Sequence, residues 1–330
     1  MDFLVVLGKY PINFATHNSL IYNLPPIIVK YNFLYMDLVS VTRFLNGFLM
    51  IAIPIVLGIY LTNKFHLSWK LWLIGASTFI ISQIFHLPFN AYILNPFLVT
   101  IQQTFQGVPG NLVTALLLGL SAGVFEECAR YGMFRWWLKD SHTWRSAILA
   151  GAGHGGIEAI ILGGLVVLAY INMMAYRNSN LSSLNLTPDQ LAIARQQIQA
   201  YWSIPWYTTL LGAVERAFTI PFHIAASVLV LQVFTRRPGH QQVWWLGLAI
   251  LYHTLMDGLI VFIASQWGGY AAEAVLGCFV ILDIVIIFAL RQPEPEPTIS
   301  PPLLQPDEPP TFIPTPVEET SENLENTRFQ

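Results

Sequence analysis

Seven stretches of this chain are each long and apolar enough to cross a bilayer, and no other feature narrows the fold as far. They run at about 39–62, 69–94, 110–135, 145–175, 205–234, 242–265 and 270–290. About 20 mostly apolar residues are enough for a helix to cross the hydrocarbon. Backbone N–H and C=O groups in that medium must be satisfied within the segment, and a helix does this residue by residue. The predicted fold class is therefore all-α, a polytopic transmembrane helix bundle of about seven spanning helices. Composition agrees. Only 11% of the 330 residues are charged and 54% are hydrophobic, whereas a soluble domain carries about 25% charged residues.

The ends differ from this middle. Lys9, Pro11, Pro25, Pro26 and Lys30 interrupt the first apolar residues, which argues against a secretory signal. Met36 stands just before the first strong apolar run and is a candidate start, so residues 1–37 are taken as an N-terminal extension. Residues 38–291 form the predicted transmembrane catalytic bundle. Residues 292–330 hold ten prolines and eight acids, a composition that cannot bury a core and is predicted to be disordered. The net charge of −3 comes from that tail. The membrane part is mildly basic, and nothing in it points to nucleic acid. Cys128 and Cys278 lie in apolar runs and build neither a disulfide framework nor a zinc finger.

Basic residues set the predicted orientation. Lys64 and Lys70 follow the first stretch, Arg135, Lys139 and Arg145 the third, Arg236 and Arg237 the fifth, and Arg291 the seventh. The loops after the second and sixth have none, and Arg177 and Arg195 are spread over the long loop after the fourth. The pattern predicts a plasma-membrane protein with its N-terminus outside and its C-terminus in the cytoplasm. In the long loop, Thr187-Pro188-Asp189-Gln190 reads as a capping box with proline in the first turn. It predicts a short amphipathic helix near 188–202 on the outer surface.

Ionisable side chains inside such stretches are expensive, about 2.5–3.5 kcal/mol for Asp, Lys or Arg at a helix centre. The third stretch nevertheless carries Glu126, Glu127 and Arg130, the fourth His154 and Glu158, the fifth Glu215, Arg216 and His223, and the sixth His253 and Asp257. Six of these form three i,i+4 pairs, Glu126/Arg130, His154/Glu158 and His253/Asp257, each on one helix face. A rise of 1.5 Å per residue puts most of them in one layer between the midplane and the cytoplasmic side. Glu215 falls about 12 Å further out than His223. His86 and Glu273 read as interfacial, and Asp283 as a structural hydrogen-bonding group. Gly151, Gly153, Gly155 and Gly156 around His154 offer small-xxx-small faces for close helix approach.

Carboxylates and imidazoles gathered in a low-dielectric pocket can relay protons or bind a metal such as zinc with an open water position. Either arrangement can activate water, with a glutamate as general base. Neither an H-E-x-x-H nor a G-x-S-x-G nor a P-loop motif is present. Two further readings use the same residues differently: a proton-coupled or metal-ion transporter, and a non-catalytic membrane scaffold. No internal repeat of the transporter kind is visible in the sequence.

Taken in order, Glu126-Glu127-Cys-Ala-Arg130-Tyr131, Gly153-His154-Gly155-Gly156-Ile157-Glu158, Glu215-Arg216 with His223, and His253-x-x-x-Asp257 resemble the YhfC family of intramembrane proteases. More distantly they resemble the CAAX-processing and bacteriocin-processing membrane proteases and the PrsW proteases. The resemblance covers roughly residues 38–290. It implies an intramembrane endopeptidase acting on a membrane-embedded or membrane-proximal protein or peptide. Its catalytic residues would be Glu126, Glu127, His154, His223, His253 and Asp257, with either glutamate as base. Arg130, Glu158, Glu215 and Arg216 would support them. The chemistry would be glutamic-type or zinc-dependent, and Zn2+ would be held by His154, His223 and His253 with Glu127. The arginine lies three residues after the second glutamate, where CAAX-processing enzymes have four, and the His154 motif is glycine-rich. A prenyl-protein substrate is therefore not implied.

Overall fold

The computed structural model describes residues 37–177, 179–237 and 242–293. The predicted N-terminal extension, except Asp37, and the predicted disordered tail beyond Pro293 lie outside the described residues. The chain divides into two units, Met1–Gln292 and Pro293–Gln330, and every helix among the described residues belongs to the first.

Among the described residues there are helices and no strands. The principal ones are α1 (Leu38–Phe65), α2 (Lys70–Phe89), α3 (Asn95–Thr104), α4 (Val108–Gly132), α5 (Trp144–Arg177), α6 (Pro188–Ser203), α7 (Leu211–Thr235), α8 (Trp244–Trp267) and α9 (Gly269–Ala289). Among the described residues, seven helical segments are long and apolar enough to cross a membrane, in the seven places the hydrophobic stretches predict. At 1.5 Å per residue, the 34 residues of α5 extend about 51 Å, longer than the roughly 30 Å hydrocarbon core.

The second segment runs further than the sequence suggests, from Lys70 to Thr104. The pair Asn95-Pro96 looks like a stop. Instead, a π-helical turn at Asn90–Leu94 joins α2 to α3 and the helix runs on through Pro96; a proline lacks the N–H for the bond back to the preceding turn, and the π turn lies in that preceding turn. A second π turn, Met133–Trp137, extends α4 beyond Arg130.

The interior is organised around α5 and α7. Helix α5 packs on α1, α2 and α7; α4 packs on α8 and α2; α9 closes the far side against α7 and α8. In the most apolar window of each segment, 78% of residues are buried for the one containing α7, against 28–39% for the others. A helix enclosed by neighbours on nearly all sides can carry Glu215, Arg216 and His223 without showing any of them to lipid.

Small residues permit this density. Ideal Cβ atoms placed on Gly119 and Gly123 of α4 would lie 2.5 Å from Thr254 O and 2.9 Å from Ile250 O of α8. The Gly119-xxx-Gly123 face thus brings the two backbones together. The four α5 glycines divide between two partners. Gly151 and Gly155 face α7 at Ile224 and His223, while Gly153 and Gly156 face Trp72 of α2.

The predicted capping box of α6 is present. Gln190 N donates to Thr187 Oγ1 at 3.3 Å, and Thr187 N donates to Gln190 Oε1 at 3.0 Å. Ala194, Ile198 and Tyr201, one face of that amphipathic helix, pack with Met173, Tyr176 and Leu181 at the end of α5 and in the loop after it.

Candidate active site

Adjacent residues on a helix point about 100° apart, and this separates the two consecutive glutamates of α4. Glu126 turns toward α2 and α5. Its Oε2 lies 3.0 Å from His154 Nε2 and 3.9 Å from His223 Nδ1, and its Oε1 accepts from Gln83 Nε2 at 3.3 Å. Glu127 turns toward α8, where its Oε1 meets His253 Nδ1 at 2.7 Å. Arg130, one turn further on, bridges the pair. Its Nη1 donates to Glu127 Oε1, and its Nη2 is 3.7 Å from Glu126 Oε2.

The same guanidinium fixes the state of His223. An arginine only donates, so His223 Nδ1, 2.7 Å from Arg130 Nη2, is the acceptor nitrogen. The proton then sits on Nε2, which donates to Glu158 Oε2 at 2.8 Å. Glu158 accepts in turn from Arg216 Nη1 at 2.6 Å, and Arg216 Nη2 donates to Glu215 Oε1 at 2.7 Å. Glu215 is thus linked to the inner group through the reach of one arginine, even though its Cα lies about two helical turns from His223. His253 has a carboxylate at each nitrogen, with Asp257 Oδ2 3.4 Å from Nε2, and Phe222 packs edge-on to its ring at 4.9 Å.

All ten residues that the sequence singles out come together in one interior cluster, and none is more than 4% exposed. Among the described residues the cluster contains five carboxylates (Glu126, Glu127, Glu158, Glu215 and Asp257) and two guanidiniums (Arg130 and Arg216). An excess of negative charge in a low-dielectric interior is costly unless a cation compensates it, so the electrostatics favour a divalent ion or a protonated histidine.

Glu126, His154 and His223 each offer one ligand atom, all within 4.8 Å of one another. Zinc ligands at about 2.0–2.1 Å in tetrahedral array stand about 3.4 Å apart. The separations of 3.0 and 3.9 Å at Glu126 Oε2 bracket that spacing. Two imidazoles and one carboxylate also form a set used by catalytic zinc, leaving one position for water. The His223–Glu158 pair supplies the carboxylate that metal-binding histidines usually engage through their second nitrogen. The residues therefore fit a zinc ion once Arg130 Nη2 gives up its hydrogen bond to His223 Nδ1, the atom that would face the metal. This trio differs from the ligand set that the sequence resemblance implies, because Glu126 stands in the place of Glu127 and His253 pairs with Glu127.

Three further polar residues of the spanning stretches have defined partners. Asp283 accepts from Tyr252 Oη at 2.6 Å, a bond between α8 and α9. His86 reads as interfacial in the sequence, yet it is only 1% exposed. It lies 2.9 Å from Asn90 Nδ2, and Asn90 Oδ1 accepts from Ser121 Oγ at 2.6 Å. Gln83, which touches Glu126, is absent from the residues that the sequence singles out. The available signal is a polar stripe on the second stretch: Gln83, His86 and Asn90 follow i, i+3, i+7 spacing.

The profile of the family described as "YhfC intramembrane metalloprotease" matches residues 49–280. The chain is also 33% identical over 222 residues, 64% of its own length and 80% of the other's, to "Uncharacterized membrane protein YhfC" of Bacillus subtilis (strain 168). No solved structure matches.

Proposed function

The chain belongs to the YhfC intramembrane metalloprotease family, and from that membership we propose that it is an intramembrane endopeptidase whose centre is the interior Glu/His cluster of α4, α5, α7 and α8. The substrate is a membrane-embedded or membrane-proximal protein or peptide. The basic loops support an orientation in the plasma membrane with the N-terminus outside and the C-terminus cytoplasmic.

The observation that carries the reading is the pairing of two subsites on adjacent glutamates. Glu126, His154 and His223 converge within 4.8 Å, and Glu127 with His253 and Asp257 lies directly beside them. A zinc ion held by the first subsite would polarise the scissile carbonyl and bring a bound water close to neutral acidity. The second subsite handles protons. Glu127 Oε1 is fixed by His253 and Arg130, while Oε2 has no hydrogen-bond partner among the described residues. A carboxylate held at one oxygen and open at the other is suited to general-base work. It takes a proton from the attacking water as the water oxygen bonds to the carbonyl carbon. That proton then passes to the amine nitrogen as the C–N bond breaks. His253, flanked by two carboxylates, holds Glu127 in line and carries charge as the proton moves. Glu158 and Arg216 keep the His223 ring oriented.

The test uses protein purified into nanodiscs, with metal content and cleavage of candidate membrane peptides measured before and after chelation. The expected result is zinc in the wild type, activity lost on chelation and restored by zinc, and no cleavage by Glu127→Gln. Cleavage that ignores both chelator and metal content would place the chemistry on the glutamates alone. Glutamate-dependent ion flux in proteoliposomes, without cleavage, would replace the peptidase reading with a transporter.

A further inference from the structure

We infer that Gln83 of α2 is a positioning residue of this centre, acting through Glu126; the inference rests on the reading of Glu126, His154 and His223 as a metal site. The two oxygens of Glu126 have separate tasks. Oε2 faces His154 and His223, and Oε1 faces the Gln83 amide at 3.3 Å. A carboxylate only accepts, so the amide turns its NH2 toward it. Held this way, Glu126 presents one chosen oxygen to the two imidazoles instead of rotating between them.

Position and chemistry both suit the task. Gln83 comes from α2, which packs on both α4 and α5, the helices that carry Glu126 and His154. Ser82, whose hydroxyl is tied to Phe79 O at 2.7 Å, lies 3.4 Å from the same amide nitrogen. A lysine or arginine here would neutralise Glu126 and compete with a metal cation for it. Arg130 is already 3.7 Å away, so a neutral donor is what orients the carboxylate while leaving its charge available. Gln83 stands behind Glu126 as Glu158 stands behind His223, giving two of the three convergent residues an outer hydrogen-bond partner. Outer partners of this kind typically govern metal affinity by about 10–100-fold.

The experiment measures zinc affinity by competition with a chelator-buffered zinc series, on full-length protein in nanodiscs, alongside melting temperature. The variants are Gln83→Met, which keeps volume and removes the donor, Gln83→Ala, and Ser77→Ala as an exposed control on the same helix. The expected result is zinc affinity weaker by about 10–100-fold in both Gln83 variants, with the melting temperature of Gln83→Met near wild type and Ser77→Ala unchanged in both measures. Wild-type zinc affinity in Gln83→Met would overturn the inference while leaving the metal site intact. Wild-type protein that binds no more zinc than His154→Ala would overturn the metal site itself, and this inference with it.

Discussion

Replacing Gly155 with alanine tests the geometry of the centre without touching a polar group. An ideal Cβ at this position would lie 2.6 Å from His223 Cδ2 and 3.0 Å from its Cβ and Cγ. Carbon atoms settle at about 3.5–4.0 Å, so the ring must retreat by about 1 Å. His223 is held between Arg130 at 2.7 Å and Glu158 at 2.8 Å, and a shift of about 1 Å takes at least one of these contacts beyond hydrogen-bond range. Overpacking costs about 1–3 kcal/mol, and the higher helix propensity of alanine offsets up to about 1 kcal/mol of that. The net loss of stability is about 0–3 kcal/mol, and the fold persists. The catalytic effect is larger, because a misplacement of about 1 Å costs about 100-fold in rate. The comparison is Gly164→Ala on the same helix, where nothing lies within 4 Å of the added carbon and wild-type behaviour is expected. Melting in detergent, zinc affinity and peptide cleavage are measured on both. Gly155→Ala with wild-type zinc affinity and wild-type cleavage would refute the placement of His223 against α5.

Glu126→Gln and Glu127→Gln should separate the two subsites: the first loses zinc and cleavage together, while the second keeps zinc within about tenfold and loses cleavage, as read by metal analysis and a peptide assay on the same preparations. Arg216→Met removes the cation shared by the buried carboxylates Glu158 and Glu215; breaking such a pair costs about 3–5 kcal/mol, seen as a clear drop in melting temperature, whereas a drop of under about 1 kcal/mol would show that the network is not stabilising. At the N-terminal end of α1, partial burial raises the Asp37 pKa, but hydrogen bonds from Arg177 and Ser40 outweigh it and leave it below the ordinary 3.8. The depressed value makes the pair stabilising above about pH 4, with that contribution lost as pH falls through the folded-state pKa. Because both partners are about a third or more exposed, the ion pair contributes only about 0.2–1 kcal/mol at neutral pH; Asp37→Ala also removes the α1 cap bond from Ser40 N, about 0.5–2 kcal/mol, and the difference from wild type in detergent melts should shrink in acid.

The fold is readable because membrane helices announce themselves by length and apolarity, and the cluster because charge in such a helix is conspicuous. Glu126, Glu127, His154, His223, His253 and Asp257 can be grouped by depth alone, since a rise of 1.5 Å per residue converts sequence position into a layer. Depth says nothing about which way a side chain points around its helix. The division of Glu126 to α5 and Glu127 to α8 depends on helix rotation, which the Gly119/Gly123 contact with α8 fixes. For the same reason the candidate metal trio of Glu126, His154 and His223 cannot be told from its neighbours by sequence. Glu215 looks remote in the sequence, and the reach of Arg216 spans the gap. Gln83 escapes notice because a neutral amide in an apolar stretch is less conspicuous than a charge. The π turn at Asn90–Leu94 is hidden by a proline that reads equally well as the end of one helix or the start of the next.

The central claim is that the cluster hydrolyses peptide bonds in or beside the membrane. Its most direct test is a comparison of membrane-protein N-termini, by terminal-peptide mass spectrometry, in cells expressing the wild type or Glu127→Gln at equal levels. New termini within or adjacent to transmembrane segments are expected in the wild-type sample and should be missing from the variant. Identical terminal profiles in the two samples, with both proteins folded and present in the membrane, would contradict the claim.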